Sequence, residues 1–248
     1  MLADTLRALA GARLRDEDGD EQIIELLPPA TAEELLALEA GLPAPLPREI
    51  REALMVSKGL ANGPLESFSL VDLAGFGLEE MFPHAYSIAH DGFGNYWVLD
   101  LLPTSTGWSP VYYVCHDPPV VVWQAATIDE FLQSAIAMWQ PGPRSAVDLV
   151  HEDSTATIWR SNPLARPRDE IVNGADAALR SFAEAQPPTA LIADLRNAAT
   201  GDGFSWGVFG PRTDIRRWGT EPVWAAIPPE KRPGFFSRLF GRSDGRTV

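Results

Sequence analysis

The chain has 248 residues, of which 45% are hydrophobic, so it is long and apolar enough to bury a substantial core. No apolar run reaches the roughly 18 residues that a membrane span needs, and the first residues lack the apolar stretch of a signal peptide, so we expect a cytoplasmic protein without stable membrane insertion. The net charge is −14, and the single cysteine, Cys115, excludes an intramolecular disulfide and is expected to be a buried strand thiol.

Residues 1–20 are predicted to form a helix over 3–14 followed by an acidic loop, DEDGDE. Leucines recur there at near-helical spacing, at Leu2, Leu6, Leu9 and Leu14.

Two further helices are predicted before any strand. Thr31 and Glu34 have the spacing of a capping box, and Gly41 stands where that helix would end. Pro47 suits the first turn of the next helix, which is expected to run to about Ser57.

After these helices, the spacing of apolar residues changes to the spacing that is typical of strands. Short runs alternate with Gly, Pro and Asp clusters and predict one antiparallel sheet, with strands at 67–71, 86–90, 96–101, 111–115 and 120–124. Gly92, Gly94 and Asn95 are expected to supply the positive φ of a tight turn. A closing helix is predicted after a second capping box, Thr127 with Glu130, and ends at the PGP segment.

The predicted fold class is therefore α+β: an antiparallel sheet flanked by N-terminal helices and a closing helix over residues 21–141, with a smaller appended unit at 142–228. In that unit TATIWR near Trp159 reads as a strand, 176–185 as a helix, and ALIADL near Ile192 as a strand. Residues 229–248 form a basic tail in which PGFFSRLFGR sets apolar residues at helical spacing among arginines. A disordered tail is the default interpretation, and peripheral contact with an anionic membrane is an alternative.

Charge is unevenly distributed along the chain. No Lys or Arg occurs between Lys58 and Arg144, although nine Asp and Glu residues fall in that window. Phosphates would find no counter-charge there, so we expect no nucleic acid and a basic protein partner instead, with a merely solubilising surface as the simpler alternative.

One segment carries a resemblance to a known family. The sequence IAHDGFGNYWVLDL, followed by PVYYVCHDPP and VVVWQAATIDEFL, resembles the SMI1/KNR4 family of the SUKH superfamily. The similar positions cover about 20–140 and include the turn glycines Gly92 and Gly94 and the polar residues Asp91, Asn95, Asp100, His116 and Asp117.

The resemblance implies an α+β binding module, most often an immunity protein that neutralises a secreted bacterial toxin of nuclease or deaminase type. Other members act as intracellular regulators or scaffolds with an endogenous partner. The polar positions are accordingly candidate partner-binding residues, and Trp108 joins them because its neighbours read as an exposed loop.

Enzymatic alternatives have less support. The pairs His90 with Asp91 and His116 with Asp117 offer metal-ligand chemistry, but adjacent strand residues point to opposite faces, and a capped turn with locally bonded histidines is the favoured interpretation. Gly92, Phe93 and Gly94 precede a strand and not the helix that a dinucleotide site needs. No nucleophile elbow, phosphate loop or zinc-protease motif occurs, so we predict a non-catalytic protein without cofactor or metal.

Overall fold

A computed structural model describes residues 1–16, 18–72, 75–101 and 108–229. The predicted basic tail lies almost wholly outside these residues.

The N-terminal region contains three helices and a small hairpin. The helices are α1 (Leu2–Leu9), α2 (Ala32–Gly41) and α3 (Arg48–Leu54), and the hairpin pairs β1 (Arg13–Arg15) with β2 (Glu21–Ile23). The prediction of one helix over 3–14 was wrong in its second half, because the chain turns at Gly11, with φ +72°, and then enters β1.

Eight antiparallel strands form the main sheet, which confirms the predicted fold class. In spatial order they are β12 (Gly203–Ser205), β9 (Pro119–Ala125), β8 (Val111–His116), β7 (Tyr96–Asp100), β6 (Ala85–His90), β5 (Ser67–Ser69), β4 (Gly59–Asn62) and β3 (Glu25–Leu26).

Helices cover one face of the main sheet. Helix α4 (Ile128–Ala137) and helices α1 and α3 bury Leu2, Leu54 and Phe131 in a core that also holds Trp97 and Tyr113 from the strands. The Thr31 capping box of α2 forms as predicted. The second predicted capping box, at the start of α4, is half formed. The Thr127 hydroxyl accepts from the Glu130 backbone N–H, whereas the Glu130 carboxylate accepts from the backbone N–H of Ala126.

The C-terminal part supplies further helices and a second sheet. Its helices are α5 (Ala146–Asp148), a π-helix (Leu149–Ser154), α6 (Thr155–Ser161), α7 (Arg168–Val172) and α8 (Ala177–Glu184). The second sheet has the order β10 (Ala165–Pro167), β11 (Leu191–Asp194), β14 (Val223–Ile227) and β13 (Asp214–Arg217). Helix α8 and strand β11 confirm the predicted elements, but TATIWR was wrongly predicted as a strand, since it is helix α6 with Ile158 buried against the sheet.

The second sheet covers the other face of the main sheet. Trp224 of β14 packs against Phe82, Tyr112 and Phe204, with ring centroids 5.2 to 6.2 Å apart, and its indole N–H donates to the Met81 carbonyl at 3.0 Å. The main sheet is therefore buried on both faces. This burial explains why its strands read as continuous apolar runs such as VVVW.

Candidate functional site

The predicted site residues lie at opposite ends of the main sheet. Because consecutive strands are antiparallel, the loops β4–β5 (63–66), β6–β7 (91–95) and β8–β9 (117–118) meet at one end, which we call the hairpin end. It carries Asp91, Asn95, His116 and Asp117. Asp100 and Trp108 flank the β7–β8 connection at the other end.

The β6–β7 turn is held by the side chain of its own first residue. Asp91 Oδ1 accepts from the backbone N–H groups of Phe93 at 2.8 Å and Asn95 at 3.2 Å, and its Oδ2 accepts from Asn95 Nδ2 at 2.6 Å. Gly92 and Gly94 have φ of +78° and +88°, as predicted for the turn, but the prediction of a positive φ at Asn95 was wrong, since Asn95 already begins the extended backbone that leads into β7. The carboxylate thus fixes the loop in one conformation.

Asn95 and His116 extend this network to the next hairpin. Asn95 is 7% exposed, and its Oδ1 accepts from the His116 backbone N–H at 3.2 Å and lies 3.0 Å from His116 Nδ1. His90 Nδ1 accepts from the Gly92 N–H. Both histidines bond locally, as the sequence interpretation favoured.

Phe93 is the residue that this fixed turn presents to solvent. Its side chain is 82% exposed, the largest value among the exposed large hydrophobic residues of the described chain. Phe93 was not among the predicted partner-binding residues. An aromatic residue between two glycines at a hairpin tip was the available signal.

Two carboxylates flank the turn without counter-charges. Glu66 and Asp117 are exposed, and their carboxylates have no hydrogen-bond or ion-pair partner among the described residues. The Asp91 carboxylate, only 12% exposed, lies 3.7 Å from His151 Nε2. This end of the sheet is consequently acidic.

His151 comes from the π-helix, the least regular helix of the fold. A π-helical turn shifts the side chains that follow it from the positions they would have in an α-helix, and such turns are frequent at functional sites. Here the ring of His151 contacts Tyr113 edge-on, with centroids 5.6 Å apart, and lines a pocket of about 450 Å³ together with Asp91.

Asp100 and Trp108 are buried, in contrast to the expected exposed roles. The prediction that Trp108 is exposed was wrong: it is 6% exposed and packs edge-on against Tyr86 at 5.2 Å. Asp100 is 1% exposed and is paired with Arg217 of β13, so its carboxylate is not available at the surface.

Cys115 lies in β8 and is buried, as predicted. Burial raises the pKa of its thiol, which disfavours the reactive thiolate. Within the described ranges, His, Cys, Asp and Glu side chains form no group of three that could hold a metal ion.

Comparison with known proteins identifies the family of the central region. Residues 29–134 match the SMI1/KNR4 family (SUKH-1), and this part of the chain is an SMI1/KNR4 family domain. The match includes the β6–β7 turn and the loops of the hairpin end, and it ends within α4.

The family is known for immunity proteins and is generally non-catalytic. Searches of curated proteins and of solved structures each returned no match. Among the helices that the structure describes, none is long and apolar enough to cross a membrane.

Proposed function

We propose that the chain is a non-catalytic binding protein that acts in the cytoplasm as an immunity protein and neutralises a bacterial toxin of nuclease or deaminase type. The hairpin end is the surface that holds the toxin. The partner is a basic toxin domain, and the complex needs no cofactor.

The observation that carries this proposal is the presentation of Phe93. An aromatic side chain 82% exposed on a turn fixed by Asp91 is a preorganised anchor. Interface hot spots are enriched in anchors that fill a partner's pocket, and a rigid loop loses little conformational entropy on binding.

Charge supports the same surface. Toxins that act on nucleic acids are basic where they hold phosphate. Glu66 and Asp117, exposed at the hairpin end without counter-charges, would attract such a surface and increase the association rate. The family membership of residues 29–134 supports the immunity role independently of charge.

A co-expression experiment tests the proposal. Toxin domains of nuclease or deaminase type, taken first from reading frames next to the gene, are produced in cells with this chain, and growth is scored. The wild-type chain should restore growth and Phe93→Ala should not.

Leu36→Ala is the matched control, because Leu36 is 68% exposed on α2, whose Glu34 pairs with Lys58 at the opposite end of β4. Failure of the wild-type chain to rescue growth would instead favour the role of a regulator with an endogenous partner.

A further inference from the structure

The pocket beside the β6–β7 turn has the features of a receptor for one side chain. We propose that it receives an arginine from the protein partner, while Phe93 inserts into the partner. This inference rests on the proposed function, since it names the chemistry by which the hairpin end would recognise a basic protein.

The shape of the pocket suits a long side chain. It lies between the 63–66 loop, the 91–95 turn and the π-helix, and its volume is about 450 Å³. Its apolar lining comes from Leu65, Phe93, Trp97, Met138 and Val147. Such a surface covers the methylene stem of an arginine while the charged end reaches the rim.

The charges of the pocket specify a cation. Its lining includes the acids Glu66, Asp91, Asp148 and Glu152 together with His151, which lies 3.7 Å from Asp91, and no Lys or Arg is among the described residues that line it. Asp91 holds the turn and Asp148 caps α5. Glu66 remains exposed without a partner, and therefore is the acid available to an incoming guanidinium.

The rim already binds one guanidinium of this chain. Arg144 donates to Glu152, which lines the pocket, at 2.6 Å and to Asp153 at 2.9 Å. Carboxylates spaced along the π-helix thus accept the two arms of a planar guanidinium in the folded protein.

Arginine fits this pocket better than lysine because Phe93 offers an aromatic face. A guanidinium stacks on an aromatic face and bonds a carboxylate with its edge, whereas an ammonium is a compact, strongly hydrated charge. Phe93 offers an exposed face, and Glu66 lies against the turn, with its Cγ 3.4 Å from where a Cβ on Gly92 would stand.

Nuclear magnetic resonance titration of the full chain tests this inference without the partner. The probe is acetyl-arginine amide, and its neutral isostere acetyl-citrulline amide is the matched ligand. Saturable shifts are expected at the backbone amides of Gly92, Phe93 and Gly94 and at the Trp97 indole, with the citrulline probe about tenfold weaker.

Variants of the chain test whether arginine binding depends on the pocket or on the overall negative charge of the protein. Glu66→Gln should weaken arginine binding about fivefold, whereas Glu33→Gln, which removes an exposed acid from α2, should leave it unchanged. Folding of each variant is checked by its amide spectrum.

Three results would overturn the inference: equal binding of the arginine and citrulline probes, shifts confined to residues outside the pocket, or equal effects of the two Gln variants. Tighter binding of putrescine than of acetyl-arginine amide would also overturn it, since the pocket would then serve a small polyamine. Because growth rescue by the wild-type chain and its loss in Phe93→Ala test the proposed function separately, either conclusion can fail alone.

Discussion

The carboxylate of Asp100 and the guanidinium of Arg217 face each other with two hydrogen bonds of 3.0 and 2.5 Å, and 117 positions separate them in the sequence. Both side chains are almost completely buried. The Arg217 guanidinium also lies 5.1 Å from the ring centre of Trp224. This ion pair joins the second sheet to the family domain.

Removing one partner of this pair should destabilise the whole fold. Asp100→Asn leaves the buried Arg217 without a counter-charge, so we expect a loss of about 3 to 5 kcal/mol in the free energy of unfolding. Urea denaturation measures the change.

Asp214→Asn is the control for Asp100→Asn, because Asp214 pairs with Arg216 at the surface, where such pairs contribute about 1 kcal/mol or less. Equal effects of the two variants would mean that the Asp100 pair is not the connection described.

The β6–β7 turn should not tolerate a branched side chain at Gly94. Its φ is +88°, and a Cβ would stand 3.2 Å from His116 Cε1, so Gly94→Val should cost about 1 to 2 kcal/mol or more and lower the melting temperature by several degrees.

Gly142→Val is the matched control for the turn, since a Cβ at Gly142 meets no atom within 4 Å and no positive φ is required there. If both variants have the melting temperature of the wild type, the geometry described for the β6–β7 turn is incorrect.

Acid should weaken the N-terminal cap of α2. The bond from Lys58 and the backbone N–H of Thr31 lower the pKa of Glu34 from 4.5 to about 2. A carboxyl with a depressed folded-state pKa stabilises the fold fully above about pH 4.5, and that contribution is lost as the pH falls towards 2.

Glu34→Gln should therefore flatten the fall in unfolding free energy between pH 4.5 and 2. Chemical denaturation across this range measures the slope. Glu33→Gln removes a neighbouring exposed acid that has no partner among the described residues, and a similar flattening in that variant would refute the assignment to Glu34.

Association with the toxin should depend on the carboxylates of the hairpin end. The on-rate should fall steeply as salt is raised, because screening removes electrostatic steering. Replacing Glu66 and Asp117 by Gln and Asn should lower the on-rate at low salt and make its salt dependence shallower.

The control pair Glu33→Gln with Glu49→Gln removes the same charge from α2 and α3. Stopped-flow measurements on both double variants compare the two positions. An identical salt dependence would show that the total charge of the protein, and not the hairpin end, steers association.

Local signals in the sequence predicted the centre of the fold. The short apolar runs of β6, β7 and β8, with Asp91, Gly92 and Gly94 between the first two, were sufficient for an antiparallel sheet and its capped turn. Such features depend on neighbours within a few positions, and a single sequence contains them.

The errors concern residues whose surroundings come from distant segments. Asp100 and Trp108 were predicted at the surface, but the second sheet and the contact with Tyr86 bury them. Nothing near Arg217 in the sequence indicated its pairing with Asp100. The helix at Trp159 was predicted as a strand because Thr155, Thr157 and Ile158 are β-branched. Packing of Ile158 in the core outweighs this local preference and the segment is helical.

The central claim, that the hairpin end holds a protein partner through Phe93, is tested most directly by calorimetric titration of the purified toxin domain with Phe93→Ala and Leu36→Ala. An anchor of this kind contributes about 2 kcal/mol or more to binding. Phe93→Ala should therefore raise the dissociation constant about thirtyfold, and Leu36→Ala should leave it unchanged. Binding by Phe93→Ala at wild-type affinity, with its fold intact, would contradict the account.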